Sequence, residues 1–99
     1  MYVTDSTTSR LVVATLNLRC RVDDWELRRP LVVATLARIQ PDLVGLKEDC
    51  AIAGGAPQSE EIRAELASWT GRGYQLARTV THQAGYGAQG TFDEGVSVM

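Results

Sequence analysis

The run RLVVATLNL, residues 10–18, is the stretch that decides the fold. Aliphatic and β-branched residues follow one another almost without interruption, as in a strand that is buried on both faces of a sheet. Residues 43–48, LVGLKE, have the same character and predict a second short buried strand. Between them, residues 30–40 carry apolar side chains at helical spacing. Strand, helix and strand within about 40 residues predict a parallel βαβ unit, which is nearly always right-handed.

The elements outside this unit are predicted from weaker sequence patterns. The polar residues 1–9 are expected to form a disordered leader. Asp24 is a candidate cap for a helix that begins near Trp25, with residues 30–40 as its main body because Pro30 is tolerated only in a first turn. The helix ends at Pro41.

The second half of the chain predicts one more helix and two more strands. The helix covers residues 58–69 and buries one apolar stripe, which consists of Ile62, Leu66 and Trp69. Residues 74–80 and 94–99 are predicted strands, and residues 82–93 a Gly-rich loop between them. Because EGVSVM ends within a strand, the chain is predicted to be truncated, with an unpaired apolar edge that favours aggregation.

The length and composition of the chain limit the classes of function that it could have. Ninety-nine residues fit one small domain, and a net charge of −2 argues against a basic surface for nucleic acid. A local phosphate-binding site remains possible, because nine of the ten basic residues are Arg, which binds phosphate well. Neither a secretory signal nor an apolar run of about 18 residues occurs, so we expect a cytoplasmic protein without a membrane span.

Two cysteines, Cys20 and Cys50, are too few for a disulfide scaffold and lack the spacing of zinc ligands. Because they follow the two strand ends closely, a disulfide between them remains possible. Reduced thiols are nevertheless expected inside a cell.

Polar side chains end the two predicted strands of the βαβ unit. Asn17 ends the first strand and Glu48 the second. Because parallel strands end at the same edge of a sheet, where ligands collect, an amide and a carboxylate are expected to meet there. The alternative is that both residues only mark where the strands emerge into water.

Several segments together resemble the endonuclease/exonuclease/phosphatase superfamily, which consists of deoxyribonuclease-like metal-dependent phosphodiesterases. TLNL resembles that family's first strand "TxNI", WELRRP the "W-x-x-R-R-P"-like segment that precedes its first helix, and PDLVGLKE its "PDIIGLQE". GYQLARTV and FDEGVSVM resemble its later strands, the second of which reads "EGVAILSR". The likeness covers residues 10–99 and implies the N-terminal part of a four-layer α/β sandwich, here an incomplete domain of order strand-helix-strand-helix-strand-strand.

The resemblance implies roles for particular residues. Glu48 matches the glutamate that binds the catalytic divalent cation, Mg²⁺ with Mn²⁺ as the alternative, and Asn17 matches an asparagine that helps to place metal or phosphate. Mg²⁺ needs only one or two protein carboxylates and offsets charge on the reacting phosphate. Glu94 is a weaker match to the glutamate that orients a catalytic His, because Asp93 competes for that role. Lys47 stands where the family commonly has Gln, which puts the metal affinity in doubt unless its side chain turns away.

The function expected from the resemblance is Mg²⁺-dependent hydrolysis of a phosphoester, in a nucleic acid or a small phosphorylated molecule, without an obligate protein partner. The family's catalytic His and its later Asp residues have no counterparts here, so the fragment alone is expected to be inactive and its standing as an enzyme is uncertain. The alternative is a non-catalytic fragment or degenerate paralogue with at most a binding role. A nucleotide-binding βαβ module is disfavoured, because no Gly-rich turn follows the first strand.

Other features are expected to be structural. His82, the only histidine, is predicted to be an exposed loop residue, and GYGAQG a flexible connection rather than a phosphate loop. Trp25 and Trp69 are expected to pack in the core, and the adjacent Arg28 and Arg29 to be solvated or ion-paired.

Overall fold

The two apolar runs that predict strands lie side by side in a computed structural model of the chain, which describes residues 2–4, 10–52, 54–85 and 91–99. Strand β2 (Val13–Asn17) and strand β3 (Leu43–Ile52) pair in parallel, in a register that runs from Val13 opposite Leu43 to Asn17 opposite Lys47. Helix α1 (Trp25–Ile39) connects them. The predicted parallel βαβ unit is therefore confirmed.

Strand β1 (Tyr2–Thr4) pairs antiparallel with β2, and β4 (Ala77–Gly85) pairs antiparallel with β5 (Thr91–Val98). In the described part of the chain, the sheet has five strands in the order β1-β2-β3-β5-β4. Helix α2 (Gln58–Thr70) follows β3, and the hairpin of β4 and β5 follows α2. Strand β5 pairs antiparallel with β3, so it lies between β3 and β4. The chain is thus an α/β structure, as the sequence predicted.

One apolar core joins the sheet to both helices. It contains residues of β2, β3, the two helices and the segments that follow them, namely Ala14, Leu18, Trp25, Val33, Leu36, Val44, Leu46, Ile62, Leu66, Tyr74 and Met99. Trp25 is a core residue, as expected, but Trp69 is 53% exposed and does not belong to the buried stripe of α2. Trp69 lies one residue before the end of α2, where the helix extends past the core.

Helix α1 begins five residues before the predicted helical body. Asp24 occupies the N-cap position, but the cap is made by its backbone, since its carbonyl oxygen accepts from the amides of Leu27 (2.9 Å) and Arg28 (3.0 Å). Pro30 lies inside the helix rather than in its first turn. The missing N–H of Pro30 therefore removes one helical hydrogen bond without ending the helix.

The predicted leader differs from the structure in part. Tyr2–Thr4 forms strand β1, which pairs antiparallel with β2, whereas residues 5–9 lie outside the described part of the chain. The segment Tyr-Val-Thr has high strand propensity, and the outer edge of β2 offers it free backbone groups. Pairing at that edge outweighs the polar composition of residues 1–9.

The predicted Gly-rich loop is also shorter than expected. Most of residues 82–93 belong to β4 and β5, although their composition is polar, because the two strands pair with each other from Ala77 opposite Val98 to Gly85 opposite Thr91. The hairpin partner satisfies their backbone groups without an apolar face. Of the run GYGAQG, only Gly85 lies within the described residues.

Neither helix in the described part of the chain has the length and apolar character that a membrane crossing requires.

Burial of Leu36 on α1 is expected to contribute strongly to stability. Leu36 is 0% exposed, so Leu36→Ala should lower the free energy of unfolding by about 2–5 kcal/mol through lost burial and a residual cavity. Leu31→Ala on the same helix is the control, because Leu31 is 69% exposed and its truncation should cost within about 0.5 kcal/mol. Chemical denaturation of both variants makes the comparison, and equal losses would contradict the packing of α1.

The buried phenol of Tyr74 is expected to make stability fall at alkaline pH. Its hydroxyl donates to the carbonyl oxygen of Pro41. Burial raises the pKa of Tyr74, the charge of Asp42 raises this pKa further, and Arg72 opposes the shift. A raised folded-state pKa gives stability that is present below about pH 10 and is lost as the pH rises through the folded value.

Tyr74→Phe removes both the hydrogen bond and the titration. We expect a loss of about 1 kcal/mol at neutral pH and a shallower decline of stability above about pH 10. Denaturation curves across that range test this, and an unchanged alkaline decline in Tyr74→Phe would show that other groups cause it.

Candidate functional site

The pairing of β2 with β3 continues past the last residue of β2. The amide of Leu18 donates to the carbonyl oxygen of Lys47 (2.8 Å), and the amide of Cys20 donates to that of Glu48 (3.0 Å). The loop after β2 therefore runs along β3 before it turns towards α1. As a result, the structure brings Asn17 and Glu48 to the same edge of the sheet.

Glu48 lies at an irregularity of strand β3. The register with β5 shifts between Leu46 and Asp49, and Glu48 has a φ of 51°. This conformation is uncommon for a residue with a side chain, and an extra residue of this kind in a strand redirects the side chain next to it. Strand β3 continues past Glu48 to Ile52, because residues 49–52 pair with β5, instead of ending at Glu48 as predicted.

The side chain of Glu48 lines an open cleft of about 380 Å³, together with Asn17, Arg19 and Val22. Glu48 is half-buried, and no hydrogen bond or ion pair reaches its carboxylate from the described residues. Desolvating a carboxylate is costly unless a partner compensates it. An unpaired, half-buried carboxylate in a cleft is therefore a candidate ligand for a cation.

Asn17 is exposed on the other side of this cleft, and the loop fixes its orientation. Its Oδ1 atom accepts a hydrogen bond from the amide of Arg19 (2.7 Å). An amide oxygen has two lone pairs, so one stays available to a ligand. The guanidinium of Arg19 pairs with Asp23 at 2.7 Å on the exposed surface.

Arg28 holds the loop that carries Arg19 and Val22, a role that sequence analysis missed. From α1, its guanidinium donates to the carbonyl oxygens of Leu18 (2.9 Å), Cys20 (3.2 Å), Val22 (2.6 Å) and Asp23 (2.8 Å). Only the five donors of an arginine can serve so many acceptors at once.

Arg29, by contrast, is ion-paired with carboxylates, as expected. Its partners are Glu26, Glu61 and Glu65. The hydrogen bond and charge of Glu26 raise the pKa of Arg29, and Glu65 adds to the shift.

The donor set of the cleft fits a small hard cation. Glu48 supplies one carboxylate, Asn17 supplies one amide oxygen, and the open cleft leaves room for water. Mg²⁺ prefers oxygen ligands, keeps several waters and is commonly bound through only one or two carboxylates. Lys47 is exposed and does not line this cleft, so its positive charge is not directed into it.

The next acid along the chain, Asp49, has a structural role instead. Asp49 is fully buried, and its Oδ1 accepts from the amide of Ser59 (2.9 Å) in the first turn of α2. Its Oδ2 accepts from Nε of Arg78 (3.1 Å), whose guanidinium also donates to the carbonyl oxygens of Asp49 and Asp93. A carboxylate at a helix N-terminus is favourable. Glu48 and Asp49 thus face different surroundings.

Glu94 lies apart from the cleft around Glu48. It is opposite Cys50 on β3 and opposite His82 on β4, and Oε2 of Glu94 lies 3.0 Å from Nε2 of His82. The sequence placed His82 in a loop, but it lies on β4; its side chain is 56% exposed, as expected. The next residue, Gly95, allows β5 to approach β4 closely at this point. A side chain at Gly95 would not fit, because its Cβ atom would lie 2.4 Å from the carbonyl oxygen of Thr79.

Cys20 and Cys50 form a disulfide, so the expectation of two reduced thiols is wrong for this structure. The backbone hydrogen bond from Cys20 to Glu48 extends the β2–β3 pairing and brings the two Cα atoms to 4.9 Å. This separation lies within the range that a disulfide requires. The position of both cysteines just after the two strand ends was the sequence feature that left a disulfide possible, although 30 residues separate them.

Comparison with known proteins identifies a similar fold. No family model matches the chain, and no curated protein matches it. A solved structure, an endonuclease/exonuclease/phosphatase family protein from Leptotrichia buccalis C-1013-b, is similar over 87% of this chain with a TM-score of 0.72 and 18% sequence identity. The likeness covers 35% of that protein, so the chain spans about a third of its length. The resemblance predicted from sequence is thereby confirmed at the level of the fold.

The different surroundings of Glu48 and Asp49 give a stability prediction. Asp49→Asn leaves the guanidinium of Arg78 without its buried counter-charge, and we expect a loss of about 3 kcal/mol in the free energy of unfolding. Glu48→Gln is the matched control and should change this free energy by less than about 0.5 kcal/mol, because its carboxylate has no partner to lose. Chemical denaturation distinguishes them; a Glu48→Gln variant less stable than Asp49→Asn would contradict the placement of the two acids.

Proposed function

Because the chain has the fold of part of an endonuclease/exonuclease/phosphatase family protein, we propose that it forms the metal-binding portion of a phosphoester hydrolase of the nuclease or phosphatase type. The observation that carries this proposal is the half-buried carboxylate of Glu48, which has no partner among the described residues and shares a cleft with Asn17. The proposed substrate is a phosphoester in a nucleic acid or a small phosphorylated molecule.

The residues of the cleft have separate tasks in this proposal. Glu48 and Asn17 would hold Mg²⁺, or Mn²⁺ in its place, and the bound cation would offset negative charge on the reacting phosphate and its leaving oxygen. The amide of Arg19 fixes the orientation of Asn17, and Arg28 fixes the loop to which Arg19 belongs. Arg19 also places a guanidinium beside the cleft, where it favours the approach of a phosphate.

A non-catalytic role is the second candidate. His82 is the only histidine of the sequence, and among the described residues no imidazole lines the cleft around Glu48. General-base catalysis of water attack by this chain alone would then lack its usual group. The chain would bind a metal and a phosphoester without hydrolysing the ester.

Glu48→Gln tests the metal site directly. The substitution keeps the shape and removes the charge, so the affinity of the chain for Mn²⁺ should fall at least about 10-fold, as even an outer-shell change does at metal sites. Asn17→Ala should weaken binding less, because it removes a neutral ligand. Lys47→Gln is the adjacent control and should not weaken binding. Water-proton relaxation during a Mn²⁺ titration measures all three.

Hydrolysis of a phosphodiester against Mg²⁺ concentration tests the reaction. In the full hydrolase, Glu48→Gln should lower the rate by about 10²–10³-fold, with partial recovery at high Mg²⁺. Metal binding that depends on Glu48 without any hydrolysis would favour the non-catalytic candidate. Mn²⁺ affinity that is equal in the parent and in Glu48→Gln would contradict both candidates.

A further inference from the structure

A second group of ligand atoms lies at the same end of the sheet but outside the cleft around Glu48. The Sγ atoms of Cys20 and Cys50 and a carboxylate oxygen of Glu94 all lie within 4.8 Å of one another. Both cysteines are buried, and only 14% of the Glu94 side chain is exposed. The fold gathers these three residues from the loop after β2, from β3 and from β5.

We propose that this cluster, when the disulfide is reduced, is a zinc site in which the thiolates of Cys20 and Cys50 and the carboxylate of Glu94 bind one Zn²⁺. A water molecule would take the fourth position of a tetrahedral ion. This site does not rest on the function proposed for Glu48. Thiolate ligands favour Zn²⁺, whereas the oxygen ligands of the Glu48 cleft favour Mg²⁺, so the two sites select different cations.

The distances suit a tetrahedral Zn²⁺ ion. With metal–sulfur bonds of about 2.3 Å and metal–oxygen bonds of about 2.0–2.2 Å, neighbouring ligand atoms lie about 3.3–3.8 Å apart. The Sγ atom of Cys50 already lies 3.9 Å from Oε1 of Glu94. To bind one Zn²⁺, the two sulfur atoms have to separate after reduction, and the carboxylate of Glu94, now within 4.8 Å of both, has to approach them.

The backbone around the cluster is held by contacts that do not involve sulfur. Gln58 is fully buried, and its side chain donates to the carbonyl oxygen of Cys20 and accepts from the amide of Cys50 at 2.9 Å. The amide of Cys20 is bound to the carbonyl oxygen of Glu48. Reduction of the disulfide therefore leaves the two cysteines facing each other.

His82 is a positioning residue for the third ligand. Its Nε2 atom lies 3.0 Å from Oε2 of Glu94, the carboxylate oxygen other than the one nearest Cys50. A hydrogen bond to the outer oxygen of a metal-bound carboxylate fixes its orientation and raises metal affinity.

Disulfide and zinc site are alternative states of the same cysteines. A small-molecule disulfide oxidises the zinc-bound form: two sulfur–zinc bonds break, one sulfur–sulfur bond forms, and Zn²⁺ leaves as its hydrate. The two electrons from the thiolates, together with two protons from water, convert the small-molecule disulfide into two thiols. A thiol reductant reverses the sequence and restores the ligands.

Cobalt(II) titration of the 99-residue chain tests the site, because Co²⁺ replaces Zn²⁺ and its absorption spectrum reports thiolate ligands and tetrahedral geometry. We expect one Co²⁺ to bind the reduced chain with thiolate-to-cobalt charge transfer, and one equivalent of Zn²⁺ to displace it. The oxidised chain should show no such spectrum. A reduced chain that binds Co²⁺ without thiolate charge transfer, or that stays unbound, would overturn the proposal.

Single substitutions distinguish the proposed Zn²⁺ ligands from the residues next to them. Cys50→Ser should abolish the charge-transfer spectrum, Glu94→Gln should weaken binding at least about 10-fold, and His82→Gln should weaken it by about 10-fold. Asp93→Asn is the matched control beside Glu94 and should bind like the parent. Circular dichroism of each reduced variant, before and after Zn²⁺, reports folding. Equal affinity of Glu94→Gln and Asp93→Asn would overturn the assignment, as would a reduced parent chain that is unfolded and does not refold with Zn²⁺.

Discussion

The parallel pairing of β2 with β3 is the constraint on which the rest of the structure depends. It aligns the ends of the two strands, and its continuation through Leu18 and Cys20 carries the following loop along β3. A residue with candidate chemistry at the end of β2, and another on the loop that follows, therefore come to lie next to residues of β3. Asn17 comes to lie beside Glu48, and Cys20 beside Cys50, although about 30 residues separate the members of each pair along the chain.

Because of the irregularity at Glu48, three consecutive residues of β3 have different surroundings and different roles. A regular strand alternates its side chains between two faces, but the positive φ of Glu48 and the register shift interrupt this alternation. Glu48 lines the cleft, Asp49 forms the buried pair with Arg78 that anchors β4 to β3, and Cys50 joins the loop after β2. A candidate metal ligand, a structural ion pair and a covalent link thus arise within three residues.

The sequence predicted the parts of this structure that depend on apolar periodicity. The βαβ unit, helix α2 and the shared edge of Asn17 and Glu48 follow from unbroken aliphatic runs and helical spacing, because these patterns require burial. Strand β1 and the part of the β4–β5 hairpin next to its turn, residues 81–85 and 91–93, did not follow, because backbone pairing with a neighbouring strand creates strands there without an apolar pattern.

The contacts of individual polar residues could not be predicted from the sequence, for a different reason. The ion pair of Asp49 with Arg78 and the contact of Glu94 with His82 each join distant segments through the register of the sheet. Register depends on where β3 is irregular, and the letters LVGLKEDC carry no signal of a positive φ at Glu48. The four carbonyl contacts of Arg28 are hidden from the sequence in the same way.

We propose above that the edge formed by Asn17 and Glu48 binds a cation. The most direct measurement is the paramagnetic broadening of backbone amide signals when substoichiometric Mn²⁺ is added to the oxidised, isotope-labelled chain. Our account expects the signals of Asn17, Arg19 and Glu48 to broaden first, because these residues line one cleft. Broadening centred on the exposed acids of the helices, or spread evenly over the chain, would contradict it.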